Sequence, residues 1–573
     1  MPLCILLFLS LCMSALAAAQ TCPDYADYAA APHAPFSDGT YNLSYQRPVA
    51  SCRTFTSLAV ESTIARLNST ITDPDLSRLF ENSFPNTLDT AIKWKGYAAD
   101  NADEELTFVI TGDINAMWLR DSANQMQSYR SLLNTTTGTS TPSNDTVASL
   151  YRGVINLQSR YLLSNPYCNS FQPPSESGLS PSINSAATND AVIPPYSNTT
   201  VYECKYELDS LAAFLEISTD YYTATNDLAF FSKYNWVSAV QAVMNTAQSM
   251  TISTYAANGS ANPLPYTFQR LTTSAEDTLD NKGTGNPVQN GTGLIRSAFR
   301  PSDDACIYQF FIPANMMFAH YLNTTSTILT AMGNNADLAN ETATLSISIT
   351  AAITEHGIVS DPIFGSIYAY EVDGYRGRTI MDDGNIPSLL SAPFIGYLSQ
   401  NDSVYQATRA LLLSTNNPYF MRGTAINAIG GPHDGPGYAW PMASIVRILT
   451  SDDDGEIYDT LKELVASTDG LGPSVHPSAR LAYPSCVASH RRELIFRLYA
   501  AVVFVGEWPV RTNGSGSGDE EAGDSEHELP VKAARDLLKW ETFIEQARCR
   551  KKVAVAVVEI PWMFGNVSTK FEV

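Results

Sequence analysis

The residues of this chain best suited to chemistry are two adjacent acids, Asp303 and Asp304. They sit in the run Phe299-Arg300-Pro301-Ser302-Asp303-Asp304-Ala305-Cys306. Side-by-side carboxylates repel, and where water is scarce each raises the other's affinity for a proton. A carboxyl that keeps its proton near neutral pH can protonate a departing oxygen, the general-acid step of glycoside cleavage. Arg300, the rigid Pro301 and an apolar stretch from Ile307 to Phe318 set the pair against a buried wall. Arg300 is expected to hold the neighbour of the acid in its ionised form. Taken alone, the doublet is better explained as a solvated acidic loop, or as Ser302 or Asp303 capping the next helix.

Other clusters carry similar chemistry. In Gly112–Ser122, Trp118 offers a ring face to the C–H surface of a sugar, while Arg120 and Asp121 offer a donor fork and an acceptor to hydroxyls. A structural Arg–Asp pair under a core Trp accounts for that segment equally well. In Tyr202–Asp209, Glu207 and Asp209 precede an apolar run, and a solvated helix start with Glu203, Lys205 and Glu207 is the simpler explanation. A third block runs Tyr370-Glu371-Val372-Asp373-Gly374, then Met381-Asp382-Asp383-Gly384-Asn385-Ile386-Pro387. A fourth holds Arg422-Gly423-Thr424, Gly430-Gly431-Pro432-His433 and Tyr438-Ala439-Trp440-Pro441. His433 can meet a hydroxyl, although a lone His is more often a surface or satisfied core residue. The spacing Cys-x-x-Cys is absent, and so is a His pair at metal spacing; no metal or other cofactor is expected.

These residues need a scaffold. Leu58, Val60, Ile64 and Leu67 form one helical face, and Leu208, Leu211 and Leu215 form another. Val404, Ala407, Leu411 and Leu412 form a third, capped by Asp402 or Ser403. Leu345, Ile347 and Ile349 alternate like a strand and leave that segment ambiguous. Long connections rich in Ser, Thr, Asn, Pro and Gly separate the helices, notably at 136–144, 170–200 and 272–292. The pattern predicts a mostly helical protein with one large domain over 54–472, after an extended segment over 21–53.

Residues 1–20 read as a secretory signal peptide, too short to span a bilayer. Glycosylation sequons recur from Asn42 to Asn566, and Cys22–Cys52 and Cys168–Cys204 are plausible disulfides, with Cys306 a buried free thiol. A secreted or secretory-lumen protein is expected. The net charge of -23 argues against nucleic acid or an anionic membrane as partner. Residues 473–573 change character, with a Gly-, Ser- and acid-rich stretch from Thr512 to Glu528. This tail reads as divergent and partly disordered, as a retained intron or shifted reading frame would leave it.

Together, the stretches Gly112–Gln125, Tyr202–Leu211, Arg300–Phe318, Tyr368–Pro393 and Gly423–Pro441 resemble glycoside hydrolase family 125, the exo-acting α-1,6-mannosidases. The resemblance implies an (α/α)6 barrel, a pocket for a terminal α-mannose, α-mannoside glycans as partners, and inversion without a metal; a monomer is also expected. It implies that the acid is Asp304 or Asp303, with Asp304 preferred. Trp118, Arg120, Asp121, Glu207, Asp209, Arg300 and His433 fall on motif positions that would grip the sugar. The chain departs from the family at the second carboxylate. A Gly-rich turn at 468–472 leads to His476, but Pro477 stands where the family has Glu. Proline cannot act as a base, so the alternative is an inactive mannose-binding relative; Glu493 or Glu507 are substitutes that nothing in the sequence favours.

Overall fold

The structure, a computed structural model, describes residues 21–467 apart from 30, 113, 137–145, 424, 425 and 434. The predicted leader at 1–20, the connection at 136–144 with the sequon at Asn144, and the tail at 473–573 with Pro477, Glu493 and Glu507 lie wholly or largely outside the described residues.

Apolar spacing builds long helices that pack in antiparallel pairs. The helix Leu208–Thr225 is central and buried along most of its length. It packs against both Leu119–Gln127 and Ile312–Met332. Ile312–Met332 starts with Pro313 in its first turn, where a missing N–H costs nothing, and ends at Gly333 with φ 76°. The chain then returns as Ala336–Ala352, packed on it. The helix Ser403–Leu412 is capped by Asp402, which accepts from Tyr405 N at 2.9 Å, as its pattern predicts. Pro441–Leu449 and Asp454–Ser467 form a further pair.

Two expectations change. Leu58 opens the helix Leu58–Asn68 but turns outward at 82% exposed, while Val60, Ile64 and Leu67 face the core. The strand-like Leu345, Ile347 and Ile349 lie inside the helix Ala336–Ala352. The residues that bury there are Leu338, Ala339, Thr342, Ser346 and Ile349, a spacing of three to four that matches one helical face.

Short strands sit between the helices. Met117–Trp118, Ser170–Phe171 and Val201–Glu203 form one antiparallel three-stranded sheet, with Met117 opposite Phe171 and Ser170 opposite Glu203. Phe310–Phe311, Glu371–Val372 and Arg378–Thr379 form another, with Glu371 between Phe311 and Thr379. In each sheet a two- or three-residue strand leads into a helix. The connections at 170–200 and 272–292 are ordered. Arg270 fixes the first, bonding Asp190 through Nε at 2.8 Å and Nη2 at 2.6 Å, and Glu203 through Nη2 at 2.7 Å.

Both disulfides expected from the sequence are present, Cys22–Cys52 and Cys168–Cys204, and Cys306 is free and buried. Among the described residues no helix is long and apolar enough to cross a membrane.

Candidate active site

The polar residues singled out in the sequence converge at these strand-to-helix junctions. Trp118 ends the strand Met117–Trp118, and the helix that follows presents Arg120 and Asp121 in its first turn. Glu207 is the N-cap of the helix Leu208–Thr225, whose first turn holds Asp209. A helix N-terminus favours negative charge, and these carboxylates also have a cation to share. Arg120 Nη1 donates to Glu207 Oε2 at 2.5 Å and to Asp209 Oδ2 at 2.7 Å, and its Nη2 donates to the Pro301 carbonyl at 2.8 Å. Asp121 is a weaker partner at 3.7 Å. Arg120 is 1% exposed, so the simple Arg–Asp pair gives way to a buried clamp across three segments. Burial, opposed by Arg120, pushes the Asp209 carboxyl up to about 7. The segment Glu203–Glu207 is buried, not the solvated helix start its charges suggested.

The acid doublet occupies a tight turn. Asp303 N donates to the Arg300 carbonyl at 2.8 Å, and Arg300 N to the Asp304 carbonyl at 2.7 Å. Asp303 adopts φ 68°, a left-handed geometry that Asp tolerates better than most residues. It caps no helix; the next one starts at Ile312. The turn separates the two side chains. Asp303 Oδ1 accepts from Asn169 Nδ2 at 3.1 Å, and Lys205 Nζ donates to its backbone carbonyl at 2.7 Å. Asn169 Nδ2 also reaches Glu207 Oε1 at 3.1 Å, tying the doublet to the Arg120 clamp. Asp304 Oδ1 lies 2.9 Å from His433 Nδ1, whereas its Oδ2 is buried without a hydrogen-bond partner among the described residues.

Arg300, expected to hold the neighbour of the acid ionised, forms its ion pair with Glu371. Its Nε donates to Glu371 Oε1 at 2.7 Å, and its guanidinium lies over the Tyr370 ring at 5.3 Å from the centroid. The reason is sheet register: pairing with Phe311 brings Glu371 beneath the turn. Burial is the largest influence and opposes the charge on Arg300, but the charge and hydrogen bond of Glu371 together with Tyr370 and Cys306 outweigh it and raise the guanidinium well above its ordinary value. His433 contacts Asp304 through Nδ1. Trp118 is buried against Tyr202, with centroids 5.4 Å apart.

Arg300 Nη2, Ser302 Oγ, Asp304 Oδ2, Asp209 Oδ1, Tyr370 Oη and Asp383 Oδ2 are all buried without a partner among the described residues. Leaving such atoms unpaired costs about 1–3 kcal/mol each. A ligand rich in hydroxyls would satisfy them.

A sequence family described as metal-independent alpha-mannosidase (GH125) matches residues 73–488. The chain belongs to this family. It is 45% identical over 455 residues to the Meiotically up-regulated gene 157 protein of Schizosaccharomyces pombe, covering 79% of this chain and 86% of that one. A solved metal-independent alpha mannosidase of Streptococcus pneumoniae, in a non-productive complex with alpha-1,6-mannobiose, superposes with a TM-score of 0.63. It is 30% identical and covers 77% of this chain and 98% of that one. The fold is the mostly helical (α/α)6 barrel expected, and the protein is a glycoside hydrolase of the GH125 family.

Sequence reasoning gave no role to four residues of this GH125 site. Asn169 carried no motif signal; it precedes the strand Ser170–Phe171 and reaches the site only through sheet pairing. Lys205 was hidden in a charge run. Glu371 and Asp383 lie in the third polar block of the sequence, and Asp383 belongs to a second acid doublet like Asp303–Asp304.

Proposed function

We propose that this chain is a secreted exo-acting hydrolase that removes terminal α-1,6-linked mannose from glycans with inversion, and that Asp304 is its general acid. One observation carries the assignment: Asp304, and not Asp303, has its Oδ1 at 2.9 Å from a titratable partner, Nδ1 of His433. Asp303 has its Oδ1 on Asn169 and serves to position the turn. Linkage preference is supported by the α-1,6-mannobiose bound to the Streptococcus pneumoniae relative. The secretory route is supported by the leader-like N-terminus and two disulfides.

In the reaction, the Asp304 proton passes to the glycosidic oxygen as the C1–O bond breaks. Water attacks C1 from the opposite face and loses a proton to a second carboxylate. Arg120, Glu207 and Asp209 grip hydroxyls, and Asp121 and Trp118 line the same junction. Pro477 favours a second reading, in which the chain binds mannose without cleaving it.

The test is hydrolysis of α-1,2-, α-1,3- and α-1,6-mannobiose by the wild-type chain and Asp304→Asn, with the first-formed anomer followed by NMR. Cleavage of the α-1,6 isomer to β-mannose, lost about 10²–10⁴-fold in the variant, is expected. Binding without turnover would establish the second reading.

A further inference from the structure

The site contains a second acid doublet, and its two members are unequal. Asp382 is fully engaged: its Oδ1 accepts from Leu389 N and its Oδ2 from Leu390 N, both at 2.9 Å. Asp383 is held by one oxygen only. Its Oδ1 accepts from Asn385 N at 3.0 Å and Asn385 Nδ2 at 2.8 Å, and its Oδ2 is buried without a partner among the described residues. Asp383 and Asp304 thus each have one oxygen held and one buried oxygen without a partner among the described residues.

The two bare oxygens belong to one place. Gly384 N donates to the Gly430 carbonyl at 2.8 Å, which laces the Asp383 turn to the loop carrying His433. A Cβ at Gly431 would meet Asp383 Oδ1 at 2.8 Å, so the loop rests directly on that carboxylate. His433, two residues on, contacts Asp304. The charged groups that Asp383 feels are Asp304 and Arg300, with Tyr370 and Tyr419 within the same field. Burial first, and then the charge of Asp304, push the Asp383 carboxyl up to about 6, so it is ionised near neutral pH.

We propose that Asp383 is the second carboxylate of this chain's reaction, the base that takes a proton from the attacking water. The inference rests on the reading of Asp304 as acid. Pro477 leaves the role vacant where the family resemblance would put a Glu. The step balances. The water oxygen bonds to C1 as the bond to the leaving oxygen breaks; one water proton moves to Asp383 Oδ2, and the Asp304 proton moves to the leaving group.

The experiment uses the full chain and two substrates, α-1,6-mannobiose and 2,4-dinitrophenyl α-mannoside, whose leaving group needs no proton. Asp304→Asn is expected to lose turnover on the first and keep most of it on the second. Asp383→Asn is expected to lose at least 100-fold on both. Azide added to Asp383→Ala is expected to restore turnover of the aryl substrate and give β-mannosyl azide. Near-ultraviolet circular dichroism like wild type, in Asp383→Asn, separates lost chemistry from lost fold. If Asp304→Asn behaves as an acid variant while Asp383→Asn keeps a tenth or more of wild-type turnover, the base assignment fails and the acid assignment stands. The base assignment also fails if azide gives no product, or if Glu493→Gln abolishes turnover that Asp383→Asn retains. A wild-type chain with no turnover on either substrate overturns both readings.

Discussion

Nδ1 of His433 lies 2.9 Å from Oδ1 of Asp304, across 129 residues of sequence. With its proton on Nδ1, the imidazole donates to that oxygen and leaves Oδ2 to carry the catalytic proton. As Asp304 gives up its proton the carboxyl becomes an anion, and the same hydrogen bond strengthens.

His433→Ala should therefore lower kcat on α-1,6-mannobiose by about 10²-fold, the cost of losing one donor to a developing charge. On 2,4-dinitrophenyl α-mannoside, where no proton is delivered, the loss should be much smaller. Comparing kcat on the two substrates checks this. Equal losses would make His433 a general support for the loop.

That contact marks the border of what the sequence made legible. Residues on one segment read well, because periodicity and capping are local: Asp402 caps its helix, and Leu208, Leu211 and Leu215 are buried. Trp118, Arg120, Glu207, Asp209 and the acid doublet were recognised as a set, and hydrogen bonds do join Arg120, Glu207, Asp209 and, through Asn169, Asp303. Who pairs with whom was not legible. Arg300 sits three residues before Asp303, yet strand register gives it Glu371. Asn169 bonds Asp303 across 134 residues through a sheet only two residues wide at that point. Strands this short leave no alternation to read.

The Arg300–Glu371 pair lies fully inside the protein, at 2.7 Å with side chains 2% and 0% exposed. Removing one partner of such a pair leaves a buried charge without compensation, at a cost of about 3–5 kcal/mol. Glu371→Ala should therefore lower the unfolding midpoint sharply in denaturant. Glu371→Gln, which keeps an acceptor for Arg300 Nε, should lose less. Because Arg300 N also donates to the Asp304 carbonyl, both variants should lose turnover along with stability.

The two disulfides should differ in their effect on activity. Cys168–Cys204 closes a separation of 36 residues and flanks the site directly, with Asn169 next to one cysteine and Lys205 next to the other. Both neighbours hold Asp303. Cys22–Cys52 instead clasps the N-terminal segment. Replacing either pair with serines should cost about 2–5 kcal/mol. Only the Cys168/Cys204 variant should also lower kcat at a temperature where it remains folded. Parallel losses of kcat in both variants would show that the site senses general stability alone.

A final prediction concerns a polar cluster deep between the helices. Glu216 Oε1 accepts from Tyr321 Oη at 2.9 Å, and Asp220 Oδ1 lies 2.5 Å from Arg130 Nη1. Burial first, and then the charge of Asp220, push the Glu216 carboxyl well above its usual range, and burial raises Asp220 too. A carboxyl raised in the folded state binds its proton more tightly there than in the unfolded chain. Its contribution is therefore fully present below the ordinary carboxylate range, and it is lost as pH rises from there through the raised folded value. Glu216→Gln stays neutral throughout and keeps an acceptor for Tyr321. Thermal melts from pH 4.5 to 8 should show wild-type stability gaining less with rising pH than that of the variant. At pH 7 the variant should be at least as stable as wild type. A variant whose melting temperature changes in parallel with wild type across that range would mean that Glu216 is already ionised in the fold, with its charge held by Arg130.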